Sequence, residues 1–417
     1  MFKNYIKIAW KVMLRRKLFT LVSLFTIGFT LMVLMTVAAI LDHYFQPAAP
    51  ETNSHRTLHF TFVKLRGTNP SLLQIGNPGY ALLHRYTRGL PFVENESFYT
   101  DAVNAYSYLE GEKISFLLKR TDGAFWQILS FAFLEGAPYT EDDNRMARRV
   151  AVINEAMRKR FFGQEPALGK MIEADGQRFR IVGVVKNVPA FHGIPYAEMW
   201  APIRTSKSNS YLANLKDNYN GIYLARSSDD FPAIQAAFQS RLRNAELPDP
   251  KKFRRWEAQL NTYRENVYLS LFMQSGLGWT SEPRTLLPVF LACVFLFIAP
   301  PTVTLVNLNV SRILERVSEI GVRKAFGASS IQLIVQFLVE SILLTLMGGV
   351  LGFCGSLVVL RAVNRSHWFP YAALQPNYSI FLYGILLALL FGLFSGIYPA
   401  WRMSRFHPVQ ALRGGGQ

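Results

Sequence analysis

The sequence predicts an integral membrane α-helical protein with four transmembrane helices and a large extracytoplasmic α+β domain. Two observations support this fold class. Half of the 417 residues are hydrophobic, and the apolar runs lie near the two ends of the chain, whereas residues 42–284 have mixed polarity. Basic residues are concentrated beside the apolar runs, and residues 1–17 carry six of them without an acidic residue. Such segregation is typical of a multi-pass membrane protein.

The formal net charge of +17 would suit a nucleic-acid-binding protein, so its position in the chain matters. Residues 42–284 contain 30 Lys and Arg against 25 Asp and Glu, and are therefore only weakly basic. The excess lies next to the apolar runs, as the positive-inside rule predicts. We therefore expect no nucleic-acid partner.

Four apolar runs are long enough to cross a bilayer as helices. They are residues 18–41, 285–310, 331–360 and 378–401. Pro300 and Pro301 lie inside the second run and should kink it, because proline removes a helix hydrogen-bond donor. The first run also resembles a signal peptide, but its length and its poor cleavage site favour a retained span.

An even number of spans places both termini on one side of the membrane. The tail, residues 402–417, has Arg402, Arg405 and Arg413 and no acidic residue. Residues 311–330 are also basic, whereas Arg361 and Arg365 in the outer loop, residues 361–377, oppose this orientation. The balance predicts cytoplasmic termini and a periplasmic or extracellular domain over residues 42–284.

Residues 1–17 predict an amphipathic helix in the cytoplasmic interface. Its cations recur every four residues, at Lys3, Lys7, Lys11 and Arg15. The opposite face is apolar, with Phe2, Tyr5, Ile6, Trp10 and Met13. This pattern is typical of a helix that binds anionic lipid headgroups. Charge that only sets the topology is the alternative.

Residues 42–284 alternate strand-like and helix-like patterns, which predict a compact α+β domain. Residues 179–185 and 222–226 are predicted strands, and residues 231–242 a helix. Residues 151–162 predict a strand that runs into a helix with Asn154 as its N-cap. Residues 248–255 are charged and contain prolines, which indicates a turn or linker.

The residues outside the apolar runs show no catalytic, cofactor-binding or metal-binding pattern. Cys293 and Cys354, the two cysteines, both lie within apolar runs. Gly163, Gly169 and Lys170 are spaced wrongly for a phosphate-binding loop and predict a turn. His55 and His59 are four residues apart but lack the glutamate of a zinc-protease helix. We therefore predict a chain that is not an enzyme and binds no cofactor itself.

Glu340 is the one charged residue within the four predicted spans. An ionisable group in a span is either functional or held near the interface by a partner. We favour a structural role, in which Glu340 anchors the preceding cytoplasmic helix, over substrate or proton chemistry.

Residues 312–328 predict a short amphipathic helix between the second and third spans. Ile313, Val317 and Ile320 form its apolar stripe, Gly327 ends it, and Ser329 or Ser330 caps the next helix. A cytoplasmic helix of this kind can dock in a groove of a partner protein. A solvated connecting loop is the alternative.

Several motifs resemble the MacB/FtsX-type ABC transporter permease family. Residues 312–341, RILERVSEIGVRKAFGASSIQLIVQFLVES, and 398–415, YPAWRMSRFHPVQALRGG, are similar to its FtsX-like part. Residues 133–143, 150–188 and 222–242 are similar to its MacB-like periplasmic core. The chain departs from the family pattern at Ser318, Met403 and Gln410, and Ser318 would alter one salt bridge with the partner.

The resemblance implies a bacterial inner-membrane permease subunit that couples ATP hydrolysis by a separate cytoplasmic ATPase dimer to motion of a two-lobed periplasmic domain. ATP and magnesium would be bound by that partner. A second permease, identical or different, and a periplasmic adaptor are further implied partners. The alternative is an FtsX-like signalling subunit that regulates an extracytoplasmic partner such as a cell-wall hydrolase. The implied ATPase-coupling residues are Glu315, Arg316, Glu319, Ile320, Gly321, Arg323, Lys324, Phe326 and Gly327.

Overall fold

The computed structural model describes two long stretches of the chain, with short gaps. They are residues 2–274 apart from 16, 47, 70 and 110, residues 329–390 apart from 367–369, 372–373 and 387–388, and between them only residues 288 and 292.

The helices are α1 (Phe2–Arg15), α2 (Lys17–Phe45), α3 (Tyr80–Tyr86), α4 (Phe125–Ile128), α5 (Glu141–Arg145), α6 (Glu155–Phe162), α7 (Phe231–Arg243), α8 (Tyr263–Gln274) and α9 (Ser330–Arg365). The strands are β1 (Thr57–Phe60), β2 (Val63–Gly67), β3 (Leu73–Gly76), β4 (Val93–Thr100), β5 (Val103–Leu109), β6 (Glu112–Thr121), β7 (Phe133–Gly136), β8 (Val150–Asn154), β9 (Met171–Ala174), β10 (Gln177–Val185), β11 (Met199–Pro202), β12 (Tyr219–Ala225), β13 (Phe253–Ala258) and β14 (Asn261–Thr262). Residues 378–386 and 389–390 are also helical.

Two helical stretches of the described chain are long and apolar enough to cross a membrane. They are Thr20–Phe45 in α2 and Leu338–Arg365 in α9, and they overlap the first and third predicted spans. The total of four spans is not confirmed, because residues 293–310 and 391–401 lie outside the described residues. Helix α9 begins at the predicted cap, where the Gln332 amide donates to Ser329 Oγ at 3.3 Å.

Helices α2 and α9 approach each other closely at glycines. A Cβ atom on Gly352 would lie 2.8 Å from the Gly28 carbonyl oxygen and 2.8 Å from Leu31 Cβ. A Cβ atom on Gly348 would lie 2.4 Å from Ile27 Cγ2. Small residues allow this approach, and van der Waals packing is a main source of helix association in lipid.

The α+β domain is a separate compact unit, formed by Tyr44–Leu287 with Phe369–Ala372. Within its described residues, eleven strands form one mixed sheet with the main order β14-β1-β12-β4-β6-β11-β8-β10-β7. Strand β5 extends β6, and β9 extends β10. A smaller antiparallel sheet has the order β13-β2-β3.

Both faces of the large sheet are packed. Helices α3 and α7 cover one face, with Leu82, Leu83, Ile234 and Phe238 in its core. The opposite face carries an aromatic core that includes Trp200. The continuous sheet and the single compact unit do not confirm the two lobes implied by the family resemblance.

Most local predictions for this domain are confirmed. The predicted strands and helices correspond to β8, α6, β10, β12 and α7. Asn154 caps α6, since its Oδ1 accepts a hydrogen bond of 2.8 Å from the Met157 amide. The turn at residues 163–169 is also confirmed, because Gly163 and Gly169 both have positive φ.

One local prediction is wrong. Residues 253–255 are not a turn or linker but the start of β13, which pairs with β2. Phe253 and Trp256 are buried in the core beneath this sheet. The packing of these two side chains against distant residues outweighs the charged composition of the segment. The sequence pattern reflects only that local composition.

The contact between α2 and α9 gives a testable prediction. Gly352→Ala should lower the thermal unfolding midpoint of the detergent-purified chain by several degrees, because overpacking costs about 1–3 kcal/mol. Gly384→Ala is the matched control, since a Cβ atom there would meet only Leu34 Cδ2 at 3.4 Å and Leu31 Cδ2 at 3.7 Å. Equal midpoints for the two variants would contradict the close approach.

Candidate functional site: a buried polar junction

Three buried polar side chains meet where the chain enters and leaves the α+β domain. Glu51 follows α2, Tyr263 begins α8, and His192 lies in the loop between β10 and β11. Glu51 Oε2 is 2.7 Å from His192 Nδ1 and accepts a hydrogen bond of 3.1 Å from the Tyr263 hydroxyl. We call this cluster the polar junction. It joins segments 141 and 212 residues apart in sequence.

Strand pairing explains how the two ends of the domain come together. Strand β14 pairs with β1, so that Leu58 faces Thr262 and His59 faces Asn261. Helix α8 then begins at once, because the Thr262 amide donates to Glu265 Oε2 at 2.9 Å and the Glu265 amide donates back to Thr262 Oγ1 at 3.4 Å. This turn places Tyr263 beside Glu51.

The protonation of Tyr263 suits its role as a donor. Burial and the neighbouring Glu51 carboxylate both raise the pKa of Tyr263 above its usual value of 10. The hydroxyl therefore stays protonated at neutral pH. A buried carboxylate needs such donors, since an uncompensated charge in the protein interior is costly.

Lys119 fixes the loop that carries His192. Its side chain is 1% exposed, and its Nζ donates to the carbonyl oxygens of Gly193, at 2.8 Å, and Ile194. The ammonium also lies 5.4 Å from the centre of the Tyr99 ring. Burial lowers the pKa of Lys119 to about 8, against the opposing influence of Asp101 and Glu51.

The same loop contacts residues 370–371 of the domain. The Ala190 amide donates to the Pro370 carbonyl oxygen at 3.0 Å. The Tyr371 hydroxyl donates to Glu198 Oε1 at 3.1 Å. Burial and the Glu198 carboxylate raise the pKa of Tyr371 to about 12, so this hydroxyl also remains a donor. The loop between β10 and β11 thus contacts three separate segments of the chain.

The predicted coupling residues and the two prolines are not described by the structure. Residues 293–328, which include Pro300, Pro301, Glu315, Arg316, Glu319, Ile320, Gly321, Arg323, Lys324, Phe326 and Gly327, lie outside the described residues. Glu340 is described. It is 5% exposed in α9, one turn after Gln336, which is 6% exposed. The structural role of Glu340 stays a prediction.

The histidines noted in the sequence are placed in the α+β domain. His55 lies in a short 3₁₀ turn, and His59 lies in β1 with its Nε2 3.0 Å from Thr57 Oγ1. Burial lowers the pKa of His59 to about 3, so it is neutral at physiological pH. The described residues contain no cluster of three or more His, Cys, Asp or Glu side chains that could hold a metal ion.

Sequence reasoning missed the polar junction entirely. Glu51, His192 and Tyr263 belong to no motif, and no spacing links them. Lys119 gives a weak signal of a buried polar site, because it directly follows the apolar residues Phe116-Leu117-Leu118 within a strand. A lysine in such a position is buried only when acceptors are available, and the sequence does not show the two carbonyl groups that supply them.

Two family models match the chain in order. The MacB-like periplasmic core domain matches residues 20–241, and the FtsX-like permease C-terminal domain matches residues 289–408. In the described residues an apolar helix, an α+β domain and a second long apolar helix follow one another along the chain, which is the order of elements in a membrane protein with one large domain outside the bilayer. The chain belongs to the MacB/FtsX-type family of ABC transporter permeases.

Curated relatives agree with this family. The chain is 26% identical to the uncharacterized ABC transporter permease YknZ of Bacillus subtilis over 298 residues, which are 69% of this chain and 68% of that protein. It is 26% identical to the macrolide export ATP-binding/permease protein MacB of Bdellovibrio bacteriovorus over 295 residues. That match covers 70% of this chain but only 42% of the relative.

A solved structure also resembles the chain. It is the extracellular domain of the ABC-type transporter YknZ from Gram-positive bacteria, at 16% identity and a TM-score of 0.33. The alignment covers 48% of this chain and 99% of that domain.

The buried ammonium of Lys119 predicts a pH dependence of stability. An unfolded lysine titrates near 10.5 and the folded one near 8, so the unfolded state binds more protons between these values. The unfolding free energy should therefore rise with pH across this window, by at most about 1 kcal/mol per pH unit. Lys119→Met should abolish this rise.

Denaturant unfolding of the detergent-purified chain, followed by tryptophan fluorescence at pH 8, 9 and 10, measures this slope. Lys207→Met is the matched control because Lys207 is exposed. The wild-type slope is expected in the control. A Lys119→Met variant with an unchanged slope would exclude Lys119 as the source of the rise in unfolding free energy with pH.

Proposed function

We propose that this chain is the permease subunit of an ABC transporter in which a separate cytoplasmic ATPase drives motion of the periplasmic domain. The observation that carries this proposal is the ordered match to a MacB-like core and an FtsX-like permease domain. The names of the MacB relatives combine ATP-binding and permease parts, which supports an ATPase as the partner. ATP and magnesium would be bound by that partner.

The proposed topology has four spans, cytoplasmic termini and a periplasmic α+β domain. The basic N-terminus and the basic residues 402–417 support this orientation. Helix α1 exposes Lys7 and Lys11 together with Trp10, which is 49% exposed. These side chains suit an anionic lipid interface.

Residues 312–328 would dock on the ATPase as a short amphipathic helix. Because ABC ATPases act as dimers, two permeases, identical or different, would each offer one such helix. Closure of the ATPase on ATP would move this helix and the spans that follow it. The second family match includes all of these residues, which supports their placement in the permease part.

The polar junction would carry the motion into the domain. Chain continuity links α2 to Glu51 and α8 to Tyr263, and His192 connects both to the loop between β10 and β11. A displacement of either domain end would therefore reach this loop through directional hydrogen bonds. Such transmission would serve efflux or extraction of a periplasmic or membrane substrate, and a periplasmic adaptor is a further partner to seek.

Two substitutions in the predicted coupling helix, residues 312–328, test the proposal. Glu319→Lys and Gly321→Trp should reduce co-purification with the ATPase and abolish its stimulation by the permease, because they change the docking face. Glu112→Lys, an exposed position in β6, is the matched charge control. Wild-type association and stimulation in both coupling variants would contradict a docking role for this helix.

Cysteine labelling tests the topology. In a chain with Cys293 and Cys354 replaced by alanine, Ser208→Cys should react with an impermeant maleimide in spheroplasts, whereas Ser318→Cys should react only after the membrane is opened. Ser208 is exposed, so a cysteine at this position is accessible to the reagent. Labelling of Ser318→Cys from outside would reverse the orientation.

A further inference from the structure

A cavity of about 170 Å³ lies beside the polar junction. One wall is the face of the large sheet that carries Tyr99 of β4 and Asn220 of β12, which are opposite each other in the strand register. Further lining residues come from α8 and from the loop that Lys119 fixes. An engineered cavity of about 150 Å³ binds benzene, so this volume admits a small organic molecule.

Aromatic rings make up much of this cavity. Tyr44, Phe62, Tyr99, Phe191 and Tyr263 all line it. Tyr44 and Phe191 pack edge to face with their ring centres 4.8 Å apart. Aromatic walls of this kind attract cations, because the ring faces carry negative charge.

Two carboxylates also line the cavity. Glu51 is 4% exposed, and both of its hydrogen bonds within the polar junction use Oε2. Asp101 is exposed, and its two oxygens accept from Asn220 Nδ2 at 2.7 Å and Asn77 Nδ2 at 2.8 Å. Within the described residues, no cationic side chain forms an ion pair with Asp101. The lining therefore carries two carboxylates, of which Glu51 contacts His192 and Asp101 has no ion-pair partner among the described residues.

The Tyr99 hydroxyl points to a missing partner. Tyr99 is 2% exposed, and its hydroxyl is buried without a hydrogen-bond partner among the described residues. Burial, Asp101 and Glu51 raise the pKa of Tyr99 well above 10, so the hydroxyl stays neutral. Leaving a buried hydroxyl unpaired destabilises the folded state. A ligand in the cavity would remove this cost.

The buried ammonium of Lys119 is already hydrogen-bonded to other groups. Lys119 donates to the Gly193 and Ile194 carbonyl oxygens and does not line the cavity. A water molecule could also satisfy Tyr99, but only a cation would in addition be attracted by the Asp101 carboxylate and the aromatic rings. A cation satisfies the hydroxyl, the carboxylates and the aromatic walls together.

We propose that this cavity binds a small organic ammonium cation. The ammonium group lies among the aromatic rings, between the Glu51 and Asp101 carboxylates, and the Tyr99 hydroxyl completes its coordination. The cavity shares Glu51, His192 and Tyr263 with the polar junction, but binding of a cation does not require the ATPase coupling proposed above, because all of the lining residues belong to the α+β domain.

Saturation-transfer NMR on the full chain, purified in a maltoside detergent at pH 7, tests the proposal. Protonated ethanolamine and tetramethylammonium are the probes. Ethylene glycol, in which a hydroxyl replaces the ammonium of ethanolamine, is the matched neutral control. Transfer to both cations and none to the glycol is expected. Equal transfer to ethanolamine and glycol, or no transfer to either cation, would overturn the proposal.

Two substitutions test whether the cation binds in this cavity. Asp101→Asn should weaken binding about tenfold, because it removes one of the two charges. Tyr99→Phe should weaken ethanolamine binding about threefold while leaving the thermal midpoint unchanged or higher, since it removes an unpaired hydroxyl. Asp142→Asn, at an exposed carboxylate, is the control. Unchanged affinity in both cavity variants would also overturn the proposal.

A titration in nanodiscs distinguishes a free cation from a lipid headgroup. Ethanolamine affinity that is equal in phosphatidylethanolamine and phosphatidylglycerol discs assigns the site to a free cation. Affinity that is weaker in phosphatidylethanolamine discs assigns it to the headgroup, which competes for the same cavity.

Discussion

The pairing of β1 with β14 is the constraint on which the α+β domain depends. Strand β1 is the first strand of the domain and β14 the last, so their contact returns the chain to the place where it entered. Glu51 and Tyr263 can meet only because of this return. The buried Glu51 carboxylate in turn requires both Tyr263 and His192, since an ion without donors would not be tolerated there. The pairing of β1 with β14 and the hydrogen bonding of the Glu51 carboxylate therefore depend on each other.

The apolar helices follow a different physical rule. In lipid no hydrophobic force drives one helix against another, so close packing must supply the attraction. Gly28 and Gly352 let the backbones of α2 and α9 come near enough for that packing. The buried Gln336 and Glu340 are consistent with the same rule, because polar groups in a span are kept away from the hydrocarbon. Close contacts at glycine thus bring α2 and α9 together, whereas buried hydrogen bonds connect the two ends of the α+β domain.

The sequence predicts those features of the fold that depend on neighbouring residues. Asn154 caps α6 because a side chain needs only the amide three residues away, and the alternation in β10 reports its own burial. The start of β13 was mispredicted because its burial depends on β2, almost 200 residues earlier. Glu51 and His192 could not be predicted for the same reason, since their meeting requires the whole sheet to be assembled.

The loop between β10 and β11 is held by hydrogen bonds rather than by apolar contacts alone. An apolar contact can slide with little change in energy, because the hydrophobic effect has no direction. A hydrogen bond loses strength steeply when its angle changes. Three residues from different segments of the chain bind this loop. Lys119 donates to the Gly193 carbonyl oxygen, Glu51 contacts His192, and the Tyr371 hydroxyl donates to Glu198. A displacement at one segment must therefore either move the loop or break a buried hydrogen bond. Breaking one of these bonds would leave a buried polar group unpaired, which costs about 1–3 kcal/mol, so the polar contacts tie the position of the loop to that of all three segments.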